Sequence, residues 1–278
     1  MPDDRSAAIA AIAAAHGWEY AAEAPPPALG GGLWEQVSLG VVRDRVRGPG
    51  WEAGRITGGE RHAERVEQRG AWTVTTSVSV STPERSLELG YLAIELPRRL
   101  PQLVLDARAN DHGPFSSLRN RPRSDQRLSL EGDFDRHFRL YVPSGYERDA
   151  LYVFTPDLMA LLIDETGDLD VEIRDDRLIV TRPGGFDLTA PETWARFERI
   201  RATVGAKAWD RTERYADERV AGAVLVLGER QAADGVDPAG ARLRGRVPRV
   251  VWLAVGIVVG VLAVIGVVAG VLLQAVAR

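Results

Sequence analysis

Between Trp72 and Val80 the chain alternates without a break. In WTVTTSVSV, Trp72, Val74, Thr76, Val78 and Val80 point one way and Thr73, Thr75, Ser77 and Ser79 the other. A period of two predicts a strand with one buried face. TPER then reads as a turn and LELGYLAIEL, 87–96, as a returning strand. Its alternation shifts at Gly90, where a bulge is expected. Weaker strand patterns cover 36–46 and 51–69. Further on, HFRLYV (137–142) and ALYVF (150–154) read as strands. DLDVEIRDDRLIVTR reads as a hairpin that reverses at Asp175 and Asp176, setting Ile173 against Leu178 and Val171 against Val180.

Helical spacing appears in three places. Residues 5–15 predict a short helix with Asp3 and Asp4 at its positive end and Gly17 as its stop, before a strand in WEYAA. TPDLMALLID predicts a helix with Thr155 as N-cap and Pro156 in the first helical position. Thr189 and Glu192 have capping-box spacing, ahead of a stripe of Trp194, Phe197, Ile200 and Val204. That helical pattern runs toward Leu227 with an interruption at Gly205. APPPALGGG, 24–32, and the aperiodic 107–126 read as loops. The expected fold is α+β: a mainly antiparallel sheet with a few helices in residues 1–227, a flexible basic linker over 228–249 and a transmembrane helix over 250–276.

The last element follows from charge. No residue from Val250 to Ala277 is charged, a stretch of 28 positions where about 20 apolar ones span a bilayer core. Arg242, Arg244, Arg246 and Arg249 precede it and only Arg278 follows, with Trp252 near its start. Arginine gathers on the cytoplasmic side of a span, and the N-terminus has acids where a signal peptide is basic. A single-pass plasma-membrane anchor with the N-terminal domain in the cytoplasm is therefore expected. Gly256 with Gly260, and Gly266 with Gly270, form two G-x-x-x-G steps, candidate faces for a homodimer through the anchor.

Composition narrows the chemistry. There is no cysteine, which rules out disulfides and thiolate metal sites and fits a reducing compartment. Up to Ala241 there are 30 basic and 39 acidic residues, a net charge of −9, so nucleic acid is not an expected partner. Arg119, Arg121 and Arg123 lie in the 107–126 loop with only Phe115 between aromatic gaps, and are read as solvated charges, not as a lipid or RNA patch. Asp133, Asp135 and His137 alternate, and on a strand would share a face able to hold a divalent metal. Three ligands without a fourth are weak evidence, and Phe134 and Phe138 account for the segment as core anchors. No nucleophile elbow, zinc-protease helix or phosphate loop is present. No cofactor is expected.

Three segments, AAAHGWEY, LPRRLPQLVLDAR (96–108) and GDFDRHFRLYVPSGYERDALYVFTPDLMALL (132–162) with the DLDVEIRDDRLIV stretch after it, together resemble an uncharacterised group of bacterial, especially actinobacterial, membrane-anchored proteins. The resemblance covers most of residues 10–205. Its best marker is Asp133, Phe134 and Phe138, then a strand, then Thr155-Pro156 before a helix. It implies the fold and membrane association and carries no activity. The chain is thus read as a membrane-tethered cytosolic interaction or regulatory module without catalytic activity, with the lipid bilayer and other proteins as partners. The alternative is a metal-dependent hydrolase built on Asp133, Asp135 and His137.

Overall fold

The computed structural model describes residues 4–25, 40–58, 60–69, 72–81, 88–111, 118, 122–130, 132–220 and 235–244. In chain order these form α1 (Asp4–Ala15), β1 (Glu19–Ala24), β2 (Gly40–Gly48), β3 (Trp51–Gly58), β4 (Glu60–Arg69), β5 (Trp72–Ser81) and β6 (Glu88–Ala107). Then come β7 (Arg127–Leu128), α2 (Phe134–His137), β8 (Phe138–Tyr141), α3 (Glu147–Val153), α4 (Pro156–Thr166) and β9 (Asp170–Pro183). Helices α5 (Pro191–Ile200), α6 (Ala206–Thr212) and α7 (Pro238–Ala241) complete the order. The architecture is α+β with antiparallel pairing in every ladder. Among the described residues no helix is long and apolar enough to cross a membrane. The expected span, with Arg246, Arg249, Trp252, Gly256, Gly260, Gly266 and Gly270, lies outside them.

Strand β6 is the axis of the sheet. β3 pairs with its first part, from Thr57↔Glu88 to Trp51↔Ile94, and β2 and β1 extend that arm. β8 pairs with its last part, Val104↔Tyr141 to Ala107↔Phe138, and β7 ends that second arm. β9 accompanies β6 from Leu89↔Pro183 to Leu105↔Val171. β4 and β5 form a separate two-stranded sheet in register from Glu60↔Ser81 to Arg69↔Trp72. The alternating WTVTTSVSV segment is therefore a strand, but the facing of its side chains falls outside the described residues.

The expected 171–180 hairpin is not formed. Asp170–Pro183 is one strand, and its apolar residues meet β6: Ile173↔Leu103, Leu178↔Ile94, Val171↔Leu105 and Val180↔Leu92. The Asp-Asp step is locally real, because Asp175 has φ +49°, a left-handed conformation that Asp tolerates better than most residues. It bulges the strand without reversing it. The matching irregularity in β6 falls between Glu95 and Leu103, the span that holds Pro97 and Pro101. Proline has no N–H for a ladder, so the two prolines fit where the ladder is broken. The bulge expected at Gly90 is absent. Gly90 continues both registers, Arg55↔Gly90 and Gly90↔Arg182. It is glycine because Phe186 lies on it: an added Cβ would stand 2.5 Å from the Phe186 ring and 2.6 Å from its backbone nitrogen.

Two further expectations change. ALYVF is not a strand but the end of α3, where Ala150 and Val153 are buried one turn apart and Leu151 and Tyr152 are exposed. Three-residue burial spacing with Glu147 and Asp149 at the positive end outweighs the strand preference of Tyr, Val and Phe. Thr189 and Glu192 make no capping box. α5 starts at Pro191 after Ala190, and the Thr189 hydroxyl donates to Asp187 at 2.7 Å. The Trp194, Phe197, Ile200 and Val204 stripe is buried as expected, carried through a π-helical turn at Arg201–Gly205 into α6, which ends at Thr212. The stripe packs on β6 and β9 together with an aromatic group: Trp18–Trp51 at 4.9 Å, Trp18–Trp194 at 5.2 Å and Phe186–Phe197 at 4.9 Å.

Candidate functional site

Two buried polar clusters, drawn from segments far apart in sequence, converge on residues 235–244. The first surrounds Asp217, which is 1% exposed. Its carboxylate accepts from the Tyr146 hydroxyl at 2.7 Å, from Arg219 Nη1 at 3.1 Å and from the backbone N–H groups of Arg219 at 3.0 Å and Asp237 at 2.9 Å. Arg219 also reaches Asp149 at 3.1 Å, and its guanidinium stacks 3.9 Å above the Tyr146 ring. Tyr215 donates to Asp149 at 2.8 Å. Asp237 in turn caps α7 by accepting from the Ala239 N–H at 2.9 Å. Gly240 of α7 lies so close to Tyr146 that an added Cβ would stand 2.2 Å from its Cζ.

The second cluster lies at the β6–β9 irregularity. Arg174 and Glu172 are 0% and 4% exposed at the side chain and 3.4 Å apart. Burial pushes the Glu172 carboxyl up and the Arg174 guanidinium down, and their mutual attraction opposes both shifts. Gln102 donates to Glu172 through Nε2 at 2.6 Å. A carboxylate can only accept, so the amide must present its NH₂ there, and its oxygen is left to accept the Leu243 N–H at 2.7 Å. Arg242 bonds Asp175 through both Nη1 and Nη2, at 3.3 and 3.2 Å. Leu243 packs on Val104, Leu118 and Tyr141. Gln126, the residue before β7, accepts the Arg244 N–H at 2.8 Å and donates to its C=O at 2.7 Å. Gln126 thus treats Arg244 as a strand would. Most of the groups held are main chain, so the clusters act as a peptide-binding surface occupied by the chain's own residues.

These ten residues fall within the stretch expected as a linker, and 235–244 is docked on the body. Of the four arginines between 242 and 249, Arg242 and Arg244 belong to this contact. Asp133, Asp135 and His137 do not share a strand face. Phe134–His137 is a helical turn, with Asp133 at its N-cap position, and alternate residues of a helix diverge. Asp135 is turned to Ser129 Oγ and the Leu130 N–H. Among the described residues no three His, Cys, Asp or Glu side chains stand close enough to hold a metal ion. Phe134 and Phe138 are buried with ring centroids 5.2 Å apart, the anchoring role that the sequence suggested. A separate concavity of about 800 Å³ is lined by Asp4, Arg5, Glu88, Arg182, Phe186, Asp187 and Thr189 among others. Glu88 there pairs with Arg55, and Asp187 closes a local turn onto Thr189.

Sequence reasoning missed Gln102, Gln126, Glu172, Arg174 and Asp217. Glu172 and Arg174 share the face opposite Val171 and Ile173, which in a hairpin would be the wet side. That face is met instead by Gln102 and by residues 242–243, which no local pattern signals. Asp217 has a signature of its own. Burial opposes its charge, but the N–H of Asp237, the Tyr146 hydroxyl and Arg219 together hold its carboxyl below the ordinary value of 3.8. Burial and the Asp217 bond push the Tyr146 phenol up. A depressed carboxyl contributes above its unfolded pKa and is lost as pH falls through the folded one. The Asp237 amide proton, followed by NMR, is therefore expected to titrate with a midpoint below 3.8. A midpoint at or above that value would break the Asp217 contact as described.

No known family model matches the chain, and no curated protein does. Among solved structures, the crystal structure of the mycobacterial trehalose monomycolate transport factor A, TtfA, is similar over 75% of this chain and 94% of that one, at 14% identity and a TM-score of 0.44. At that score the likeness carries no argument about this chain.

Proposed function

We propose that the chain is a membrane-tethered module that acts through contacts with other proteins, with residues 235–244 docked on the folded body ahead of the anchor. The observation that carries this reading is the clamp on Asp237, Leu243 and Arg244 by Asp217, Gln102 and Gln126, six residues before an uncharged stretch that begins at Val250. A stretch of that length fits a bilayer, and four arginines ahead of it against one behind it favour a cytoplasmic body. A free tether needs no buried acceptors for its main chain. Here the body supplies them.

Two measurements test the reading. The full chain should resist alkaline extraction from membranes, and protease outside intact spheroplasts should spare the body while the same protease digests it in inside-out vesicles. Digestion from outside sinks the topology. Gly240→Ala forces α7 off Tyr146 and alters no residue of β6 or β9. Trypsin cleavage after Arg242 and Arg244 should then rise by about tenfold or more, since 1.4 kcal/mol lost from docking is a factor of ten, with the main unfolding transition unchanged. Equal cleavage in the two proteins means that the segment is not held as proposed.

A further inference from the structure

We infer that Arg123, Arg127 and Arg244, at the β7 end of the sheet, bind the phosphates of anionic phospholipid headgroups. The inference rests on the membrane-tethered reading above. It starts from where the chain leaves the body. Arg244 C=O accepts from the Arg123 N–H at 3.1 Å and from Gln126 Nε2 at 2.7 Å, so the last described residue lies beside the turn that opens β7. From Arg244 to Val250 is six residues, at most about 20 Å of extended chain.

Charge selects the same face. The Arg123 and Arg127 side chains are 52% and 41% exposed, Arg244 is exposed, and Arg246 and Arg249 follow in the chain. Everything before Arg242 carries a net −9, so an anionic surface repels the body as a whole and attracts this corner. Two acids are nearby: Asp125 at 3.0 Å from Arg123 and Asp135 at 3.8 Å from Arg127. The Arg123–Asp125 pair is exposed on both sides, and Arg127 makes only a long contact with a half-buried Asp135 that Ser129 and Leu130 already hold; such pairs are weak and screened, so a guanidinium can take a phosphate, which it binds in bidentate fashion. The Debye length at physiological salt is about 8 Å, so only groups close to the surface take part.

The chain has no cysteine, so one introduced thiol gives one labelled site. Full-length protein carrying Ser124→Cys, at an exposed position beside Arg123, is labelled with a fluorophore. It is reconstituted into vesicles of phosphatidylcholine alone or mixed with phosphatidylglycerol, with headgroup spin labels as quenchers. Ala22→Cys, exposed on β1 at the end of the other arm, is the control. The Ser124 label should be quenched more in the anionic vesicles, and less again near 1 M salt, where the Debye length is about 3 Å. The Ala22 label should not respond. Arg123→Gln and Arg127→Gln should each reduce the preference for anionic lipid roughly fivefold. Hydrogen exchange of the unlabelled chain over 122–128 gives the same comparison without substitution. A chain that resists alkaline extraction but shows no lipid-dependent quenching or protection at this site overturns the inference and leaves the tethered reading standing. A chain that washes off the vesicles overturns both.

Discussion

Glu172→Gln is expected to lower the unfolding free energy by about 3–5 kcal/mol, the cost of removing one partner of a buried ion pair. Arg174 is 0% exposed at its side chain, and after the substitution its remaining acid is Asp175, 3.8 Å from Nε. Glutamine preserves shape, so little of the loss comes from packing. The second effect concerns orientation. A glutamine at 172 can donate as well as accept, so it no longer fixes which way the Gln102 amide points, and the Leu243 N–H loses an assured partner. Cleavage after Arg242 should rise along with the fall in stability. Adding Arg174→Met removes the buried cation as well and should restore most of the stability, because replacing both charges of a buried pair is often neutral. Urea unfolding of the parent and the two variants decides the matter: a single-variant loss below about 1 kcal/mol would show the pair to be far better solvated than described.

Phe197→Ala is expected to cost about 3–5 kcal/mol. Phe197 is 2% exposed and meets Phe186 edge-on at 4.9 Å and Trp194 at 5.7 Å. Its removal opens a cavity between α5 and β6–β9 that neighbouring rings cannot close without leaving their own contacts. Trp209 on α6 is the internal comparison. It is larger but 44% exposed, and Trp209→Ala should stay within about 0.5 kcal/mol of the parent if it acts as an ordinary surface residue. Thermal unfolding of the pair separates burial from aromatic size.

What the sequence reveals and conceals follows from the range of each interaction. The α5 stripe is legible because four apolar residues at helical spacing need no partner to be recognised, and Thr155-Pro156 opens α4 through local geometry alone. β9 was misread because its partner lies elsewhere in the chain. With β6 out of sight, Asp175-Asp176 looks like a reversal. With β6 present, the same dipeptide is a bulge opposite two prolines. The metal face failed for a related reason: Asp133, Asp135 and His137 alternate, but Phe134 and Phe138, buried on either side of one helical turn, set the local conformation. The clamp on 235–244 was invisible because glutamine and aspartate side chains binding main chain leave no motif in the residues they hold.

The long strand has a consequence for how the chain is made. Leu89 of β6 finds its β9 partner in Pro183, 94 positions later. At roughly 5–20 residues per second of synthesis, β6 waits on the order of 5–20 seconds with one edge unpaired and its apolar residues short of cover. Contacts of such sequence separation also form slowly once both strands exist. The nascent chain is therefore exposed to chaperones, and to edge-to-edge association with its neighbours on a polysome, before any of its apolar C-terminal stretch has been translated.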